Sequence, residues 1–244
     1  MTKLIKLAIV GYGKMGKEIE KYAHESGCKV EVIIDNEQDW EKYRSQLSQL
    51  VDVAIEFTSP GVVVQNLKKL MDLKIPAVTG TTGWGNDLPA IEKYCRESNG
   101  SIFYASNFSI GVNLFFALNR YLAALMADYP AYRPLLEETH HTQKLDAPSG
   151  TAVTMLEDIM QINPALKGWK FETEHPSQEE VSVIAHRIEN VTGTHKLTYE
   201  SDIDTLSIEH TAHNREGFAK GALLAARWLM DKKGIFTMND LLKL

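Results

Sequence analysis

Cysteine is scarce: Cys28 and Cys95 are the only two in 244 residues. That is too few for the disulfide framework that staples small secreted domains. Both lie in polar stretches near the ends of predicted helices and read as free thiols. Long apolar runs are lacking as well, and none approaches the roughly 20 residues of a membrane-spanning helix. The opening Met1-Thr2-Lys3-Leu4-Ile5-Lys6 has no extended apolar region of the signal-peptide kind. The expected location is therefore the cytoplasm, with no membrane partner. Basic residues are in the minority, 26 Lys and Arg against 32 Asp and Glu, for a formal net charge of −6. This argues against the sequence-independent nucleic-acid binding that a basic surface provides. A small anion is still compatible with it, because a local cluster of cations and backbone donors can hold one whatever the net charge. Internal repeats and low-complexity linkers are absent too, and 44% hydrophobic with 24% charged residues is ordinary for a chain that buries a core.

What is present alternates. Residues 4–10 are a short apolar run ending at Gly11, 14–26 suit a helix, and 30–34 are a β-branched run ending at Asp35. This is one βαβ unit. Strand-like 51–57, 75–79 and 101–104 then alternate with helix-like 62–73 and 87–97, which predicts a parallel α/β sheet of the Rossmann type. After Asn107 the character changes. A long apolar helix over 112–127, a strand over 134–141, a helix over 151–161 and strand-like alternation over 181–189 and 195–210 predict an α+β domain with a mostly antiparallel sheet. An alanine-rich helix over 217–231 and the tail to Leu244 are expected to return to the first domain. The expected division is residues 1–108 plus 216–244 for a dinucleotide-binding domain, and 109–215 for a substrate-binding and oligomerisation domain.

Gly11-Tyr12-Gly13-Lys14-Met15-Gly16 is a G-x-G-x-x-G directly after a strand and opening a helix, with Asp35 placed 24 residues after Gly11 at the end of the next strand. Glycines there permit the tight turn and let backbone N–H groups approach a pyrophosphate, while the carboxylate can bond ribose hydroxyls. Asp35 is followed by Asn36 and Glu37, with no arginine to pair with a 2′-phosphate, so NADH is the expected preferred cofactor, with NADPH as the alternative. Gly80-Thr81-Thr82-Gly83 and Ala105-Ser106-Asn107-Phe108 each follow a predicted strand of the same sheet. Ligands bind outside the carboxyl ends of such strands, and these two loops are candidates for the nicotinamide end; read singly, each is equally a turn that caps a helix.

The most specific stretch runs from Glu138 through His140, His141, Lys144, Asp146, Pro148, Ser149, Gly150 and Thr151 to Ala152. Two histidines and a lysine leave a strand for a loop, and Pro-Ser-Gly-Thr opens a helix whose N-terminal amides suit a carboxylate. Imidazole titrates near neutrality and Lys144 adds a cation or a second proton donor, so either His140 or Lys144 can serve as acid. A metal is not expected: zinc wants further spaced Cys or His ligands, and adjacent histidines on a strand point to opposite faces. His195, in Gly193-Thr194-His195, and Arg215 read as surface residues or as residues one layer behind a site.

Taken together in order and spacing, the glycine turn, Phe57-Thr58-Ser59-Pro60, Gly80-Thr81-Thr82-Gly83, Asn107-Phe108-Ser109-Ile110-Gly111-Val112 and the string from Glu138 to Ala152 resemble the dihydrodipicolinate reductase family from the first strand to the last helix. The resemblance implies a homotetramer acting on a small dicarboxylate, with loss of water from 4-hydroxy-tetrahydrodipicolinate and hydride delivery to the unsaturated ring. It places His140 on the family's catalytic histidine, Lys144 on its proton-donor lysine and His141 on a substrate-binding histidine. It places Gly150 with Thr151 on the pair that holds a substrate carboxylate. The cofactor contacts it implies are Gly11, Tyr12, Gly13, Lys14, Met15, Gly16, Asp35, Gly80, Thr81, Thr82, Ala105, Ser106, Asn107 and Phe108. A semialdehyde dehydrogenase of similar architecture would need a cysteine nucleophile on a loop of the second domain, which neither cysteine provides.

Overall fold

Short β-branched runs separated by helices build the first part of the chain in a computed structural model that describes residues 4–244. In chain order these are β1 (Ile5–Val10), α1 (Lys14–Ala23), β2 (Cys28–Ile34), α2 (Glu37–Tyr43), α3 (Leu47–Leu50), β3 (Val53–Glu56), α4 (Pro60–Asp72), β4 (Ala77–Thr79), α5 (Leu88–Glu97) and β5 (Ser101–Tyr104). There follow α6 (Ile110–Met126), β6 (Arg133–His140), α7 (Gly150–Ile162), β7 (Gly168–Phe171), β8 (Glu180–Arg187), β9 (Gly193–Glu200) and β10 (Thr205–Ala212), and finally α8 (Glu216–Leu229), β11 (Gly234–Phe236) and α9 (Met238–Leu242). The chain forms two compact units, one of residues up to Ile110 with Glu216–Leu244 and one of Gly111–Arg215.

In the first unit six parallel strands lie in the order β11-β5-β4-β3-β1-β2. Both faces are covered, which explains why Leu7 to Val10 of β1, Val53 to Ile55 of β3 and Ala77 with Val78 of β4 are apolar without alternation. One face packs on α1 and α8 through residues such as Leu7, Ile19, Phe103 and Leu223; the other packs on α4 and α5 through Val10, Leu67, Leu70 and Ile91. The order reverses between β1 and β3, because the chain runs outward from β1 to β2 and returns to the opposite side of β1. In open α/β sheets such a switch point is where a crevice opens for ligand. The tail adds β11 to the free edge of β5, and a capping box from Thr237 and Asp240 starts α9. Alanines and Gly221 let α8 lie close: a Cβ on Gly221 would come within 1.8 Å of the Phe108 carbonyl. Cys28 opens β2 rather than ending a helix, and both cysteines are buried free thiols.

The second unit refines two expectations. Its five-stranded sheet, ordered β10-β9-β6-β8-β7, is mixed, with a parallel side the sequence did not announce: β10/β9 and β6/β9 are antiparallel, β6/β8 and β7/β8 parallel. The stretch over 195–210, expected as one strand, is β9 and β10 joined by a tight turn in which Ser201 Oγ accepts from the N–H groups of Ile203 and Asp204. The physical reason for the parallel side is β7. Only four residues long and carrying Gly168 and Lys170, it has no pattern of its own, yet it returns the chain parallel after α7 and sets the direction of that side of the sheet. Helix α6 buries Val112, Phe115, Phe116 and Leu122 on one side and leaves Leu114, Leu118, Tyr121 and Leu125 exposed in a single i, i+4, i+7, i+11 stripe.

Candidate active site

The glycine turn after β1 can be made only by glycine at its first position. Gly11 has φ +90°, and a Cβ there would meet the Phe57 carbonyl oxygen at 2.1 Å. Gly16 is needed for helix–strand packing, since its Cβ would lie 2.4 Å from the Gly11 oxygen. Gly13, by contrast, faces open space and caps α1 with no side-chain hydrogen bond. The first N–H groups of α1 are thereby left for a ligand. The Asp35 carboxylate accepts from the Tyr12 N–H at 2.6 Å, and Asn36 caps α2 by accepting from the Asp39 N–H.

These residues border a cleft of about 400 Å³ whose walls include Gly11, Tyr12, Gly13, Asp35, Trp40 and Thr58. No lysine or arginine lines it among the described residues. The nearby Lys69 lies over the Trp40 ring, and Glu37, itself a lining residue, holds its ammonium at 2.7 Å. An open glycine cradle, uncapped amides and a carboxylate at the next strand end fit a dinucleotide. Thr81, Thr82, Ala105 and Ser106 converge on a second, smaller cleft of about 170 Å³. Other predicted residues line neither cleft. Lys14 is exposed outside the cleft, Met15 packs toward the core, Gly80 lies against the Phe57 ring and Asn107 accepts from the Ser109 N–H. The Phe108 ring is buried, stacked on Phe103 at 5.9 Å, which leaves its backbone for any ligand.

In the second unit, pleating assembles the site. Alternate residues of a strand share a face, so Leu136, Glu138 and His140 of β6 lie together. Register sets Leu136 beside Leu197 and Glu138 beside His195 of β9, and His140 beside Arg187 of β8. The face is apolar at the Leu136 end and polar at the His140 end. Over the polar end sits the start of α7, where Ser149 caps the helix by accepting from the Ala152 N–H. Ser149 also donates its own N–H to Glu138 Oε2 at 2.9 Å and shares a 3.0 Å hydrogen bond with His195 Nε2. Arg187 donates to Glu138 Oε1 at 3.1 Å and to the Asp146 carbonyl at 2.7 Å. The His140 and His195 rings meet edge to face at 5.1 Å, and Gly193 makes room, because a Cβ there would press on His140 Nε2 at 3.2 Å. On the loop that follows, both Asp146 oxygens take the Lys144 ammonium at 2.8 Å.

Glu138 is fully buried. Burial alone would raise its pKa, but the hydroxyl and backbone N–H of Ser149, the imidazole of His140 and the Arg187 guanidinium together hold it below the usual carboxylate range. His140 is lowered, first by burial and then by Lys144 and Arg187, with Glu138 and Asp146 opposing. Burial, followed by the neighbouring His140, takes His195 down to about 4. At neutral pH both imidazoles are therefore uncharged, and the cations of this cluster are Lys144 and Arg187.

His140 is thus brought under the start of α7, whose first residues are Gly150 and Thr151, and Lys144 lies close enough to act on it electrostatically; His141 follows it in the chain, and no contact places its ring in this cluster. Glu138, Ser149, Arg187 and His195 complete the cluster. His195 is 5% exposed, which removes the surface reading and leaves the reading one layer behind. Glu138, His140 and His195 also bring possible metal-ligating atoms within 4.8 Å of one another. Both Glu138 oxygens and His195 Nε2 already have protein partners, and the adjacent guanidinium opposes a cation.

Residues 5–108 match the family described as dihydrodipicolinate reductase, N-terminus, and residues 111–242 match dihydrodipicolinate reductase, C-terminus. A protein of Christiangramia forsetii named 4-hydroxy-tetrahydrodipicolinate reductase is 43% identical over 98% of both chains. One of the same name from Methanosarcina mazei is 32% identical over 100% of this chain and 91% of its own. The fold is shared with a dipicolinate-bound dihydrodipicolinate reductase from Paenisporosarcina sp. TG-14, at a TM-score of 0.74 and 22% identity, covering 96% of this chain and 97% of that one.

Proposed function

Since the chain belongs to the dihydrodipicolinate reductase family, we propose a division of labour in which the first unit binds the dinucleotide and the second holds the substrate and delivers the proton. The enzyme is an NAD(P)H-dependent oxidoreductase that converts 4-hydroxy-tetrahydrodipicolinate to tetrahydrodipicolinate, with loss of water, in lysine and diaminopimelate biosynthesis. The observation that carries the assignment of roles is the polar end of the second sheet, where a lysine, two neutral imidazoles and a helix N-terminus meet.

In this reading, the N–H groups of Gly150 and Thr151 at the start of α7 hold one substrate carboxylate and His141 helps to fix the other. When bound, the nicotinamide supplies the hydride. Addition at C4 of the conjugated imine leaves an enamine that needs a proton at C3, and Lys144 gives it. The support for Lys144 over His140 is electrostatic: a neutral imidazole with a lowered pKa orients and accepts, whereas the half-buried ammonium of Lys144 carries a proton to give. Asp146 holds Lys144 until a substrate carboxylate competes for it.

On the cofactor side, Asp35 takes the ribose hydroxyls and Gly11 to Gly13 take the pyrophosphate. NADH is preferred, because the cleft walls offer acidic and neutral groups and Lys69 is held by Glu37. The apolar stripe of α6 is the support for a homotetramer, which light scattering of the chain checks. Among the described residues no helix is long and apolar enough to cross a membrane; a cytoplasmic location completes the proposal, and fractionation of cells tests it.

The deciding assay follows oxidation of the reduced cofactor with substrate generated in place from pyruvate and aspartate semialdehyde by the preceding enzyme. Oxidation is expected to depend on both precursors and to fall by about 10²–10⁴ in His140→Gln and in Lys144→Ala, with cofactor affinity kept. Near-normal turnover in both variants would remove these roles.

A further inference from the structure

A second fully buried glutamate, Glu56, is not used by any step above. It is the last residue of β3, in register with Val10 of β1 on one side and Thr79 of β4 on the other. That position is the switch point of the sheet, beneath the crevice that opens there. Its partners are hydroxyls and an amide rather than a cation. Oε2 accepts from Thr79 Oγ1 at 2.6 Å and from Thr81 Oγ1 at 2.9 Å, while Oε1 accepts from Thr58 Oγ1 and, at 3.5 Å, from Asn66 Nδ2.

The direction of these hydrogen bonds is set by the neighbours. Thr81 Oγ1 accepts from the Thr58 N–H at 2.8 Å, Thr79 Oγ1 from the Thr81 N–H at 3.3 Å and Thr58 Oγ1 from Asn66 Nδ2 at 3.5 Å. Each hydroxyl thus accepts from one neighbouring N–H and turns its proton to the glutamate. Donors from four side chains therefore converge on a group that, as a carboxylate, offers acceptor sites only. The same bonds tie together the two loops that follow β3 and β4, whose Thr58 lines the larger cleft and Thr81 the smaller.

We propose that Glu56 is a positioning residue with an electrostatic function: a buried, uncompensated anion at the switch point that locks the Thr58 and Thr81 loops and makes the first unit bind the oxidised nicotinamide dinucleotide more tightly, relative to the reduced one, than it otherwise would. The inference rests on the reading of this unit as the dinucleotide-binding one. The oxidised nicotinamide ring carries a positive charge that the reduced ring lacks. A fixed anion held by hydroxyl dipoles in a dry interior therefore discriminates between them, and such a charge–charge interaction is worth roughly tenfold in affinity.

The test is direct binding of NAD+ and of NADH, by calorimetry, to the wild-type chain and to Glu56→Gln and Glu56→Asp. In Glu56→Gln, which keeps shape and loses charge, NAD+ affinity is expected to fall about tenfold more than NADH affinity. Glu56→Asp, which keeps the charge, is expected to hold the wild-type ratio within about twofold, and loss of the ratio there overturns the proposal even if the glutamine variant does not fold. Equal weakening of both forms in Glu56→Gln, or loss of the ratio in Glu56→Asp, overturns the electrostatic function and leaves only a structural one. A wild-type chain that binds neither form sinks the parent reading as well, so the two failures are distinguishable.

Discussion

Each unit buries one glutamate completely at or near the carboxyl end of a central strand, and the two are compensated in opposite ways. Glu138 meets a guanidinium, a backbone N–H and two imidazoles, so its charge is spent locally on fixing the groups around it. Glu56 meets three threonine hydroxyls and an amide, which solvate the charge without cancelling it. The wider sites differ in the same sense. The first presents backbone amides, glycines and acidic walls, suited to a ligand held by main-chain donors; the second presents fixed cationic and imidazole side chains, suited to small carboxylates and proton delivery. A buried carboxylate is costly unless it is satisfied, and the identity of its partners shows what it is kept for.

The sharpest way to break the contrast is Glu138→Gln. It removes the anion that raises the His140 pKa while leaving the amide able to bond, so the pH limb set by His140 should move to lower pH, with turnover down roughly 10²-fold. A full pH–rate profile checks both, and an unmoved limb would mean that Glu138 only supports the fold.

Next in size is an effect on stability. His195 is taken from its ordinary 6.5 to about 4 in the folded chain, so between these pH values the unfolded state binds a proton that the folded state refuses. Stability is therefore complete above pH 6.5, falls as the pH drops toward 4 and levels off below it, by about 3 kcal/mol from this group. Denaturant titrations across that range should show a shallower acid loss in His195→Gln than in the parent.

The smallest expected effect sharpens the cofactor side. Glu37→Gln frees Lys69 and removes one negative charge from the cleft wall, so kcat/KM with NADPH should rise about tenfold relative to NADH. An unchanged ratio would place the discrimination at Asp35 instead.

Much of the first unit could be read in advance because its signals are local. Continuous apolar strands, helices at 3.6 periodicity and a glycine turn with Asp35 behind it each occupy a few consecutive residues, and parallel α/β sheets follow from their alternation. The site of the second unit was readable only along the string from Glu138 to Ala152. Arg187 and His195 are 47 and 55 residues away from His140 along the chain, and strand pairing alone brings them to it. Glu56 was hidden for the same reason. In sequence it ends an apolar run, and nothing adjacent reveals that Thr79 and Thr81, on the next strand and loop, will surround it.

By itself, then, the sequence determined most of the strands and helices, the glycine turn after the first strand, and which short string carries the histidines and the lysine. Those depend on sterics and periodicity within one element. Tertiary structure alone decided that the second sheet is mixed, that His195 is buried and neutral beside His140, and that one buried glutamate meets a guanidinium while the other meets only hydroxyls and an amide. Each of these depends on register between distant strands and on the exclusion of water, which no run of neighbouring residues encodes.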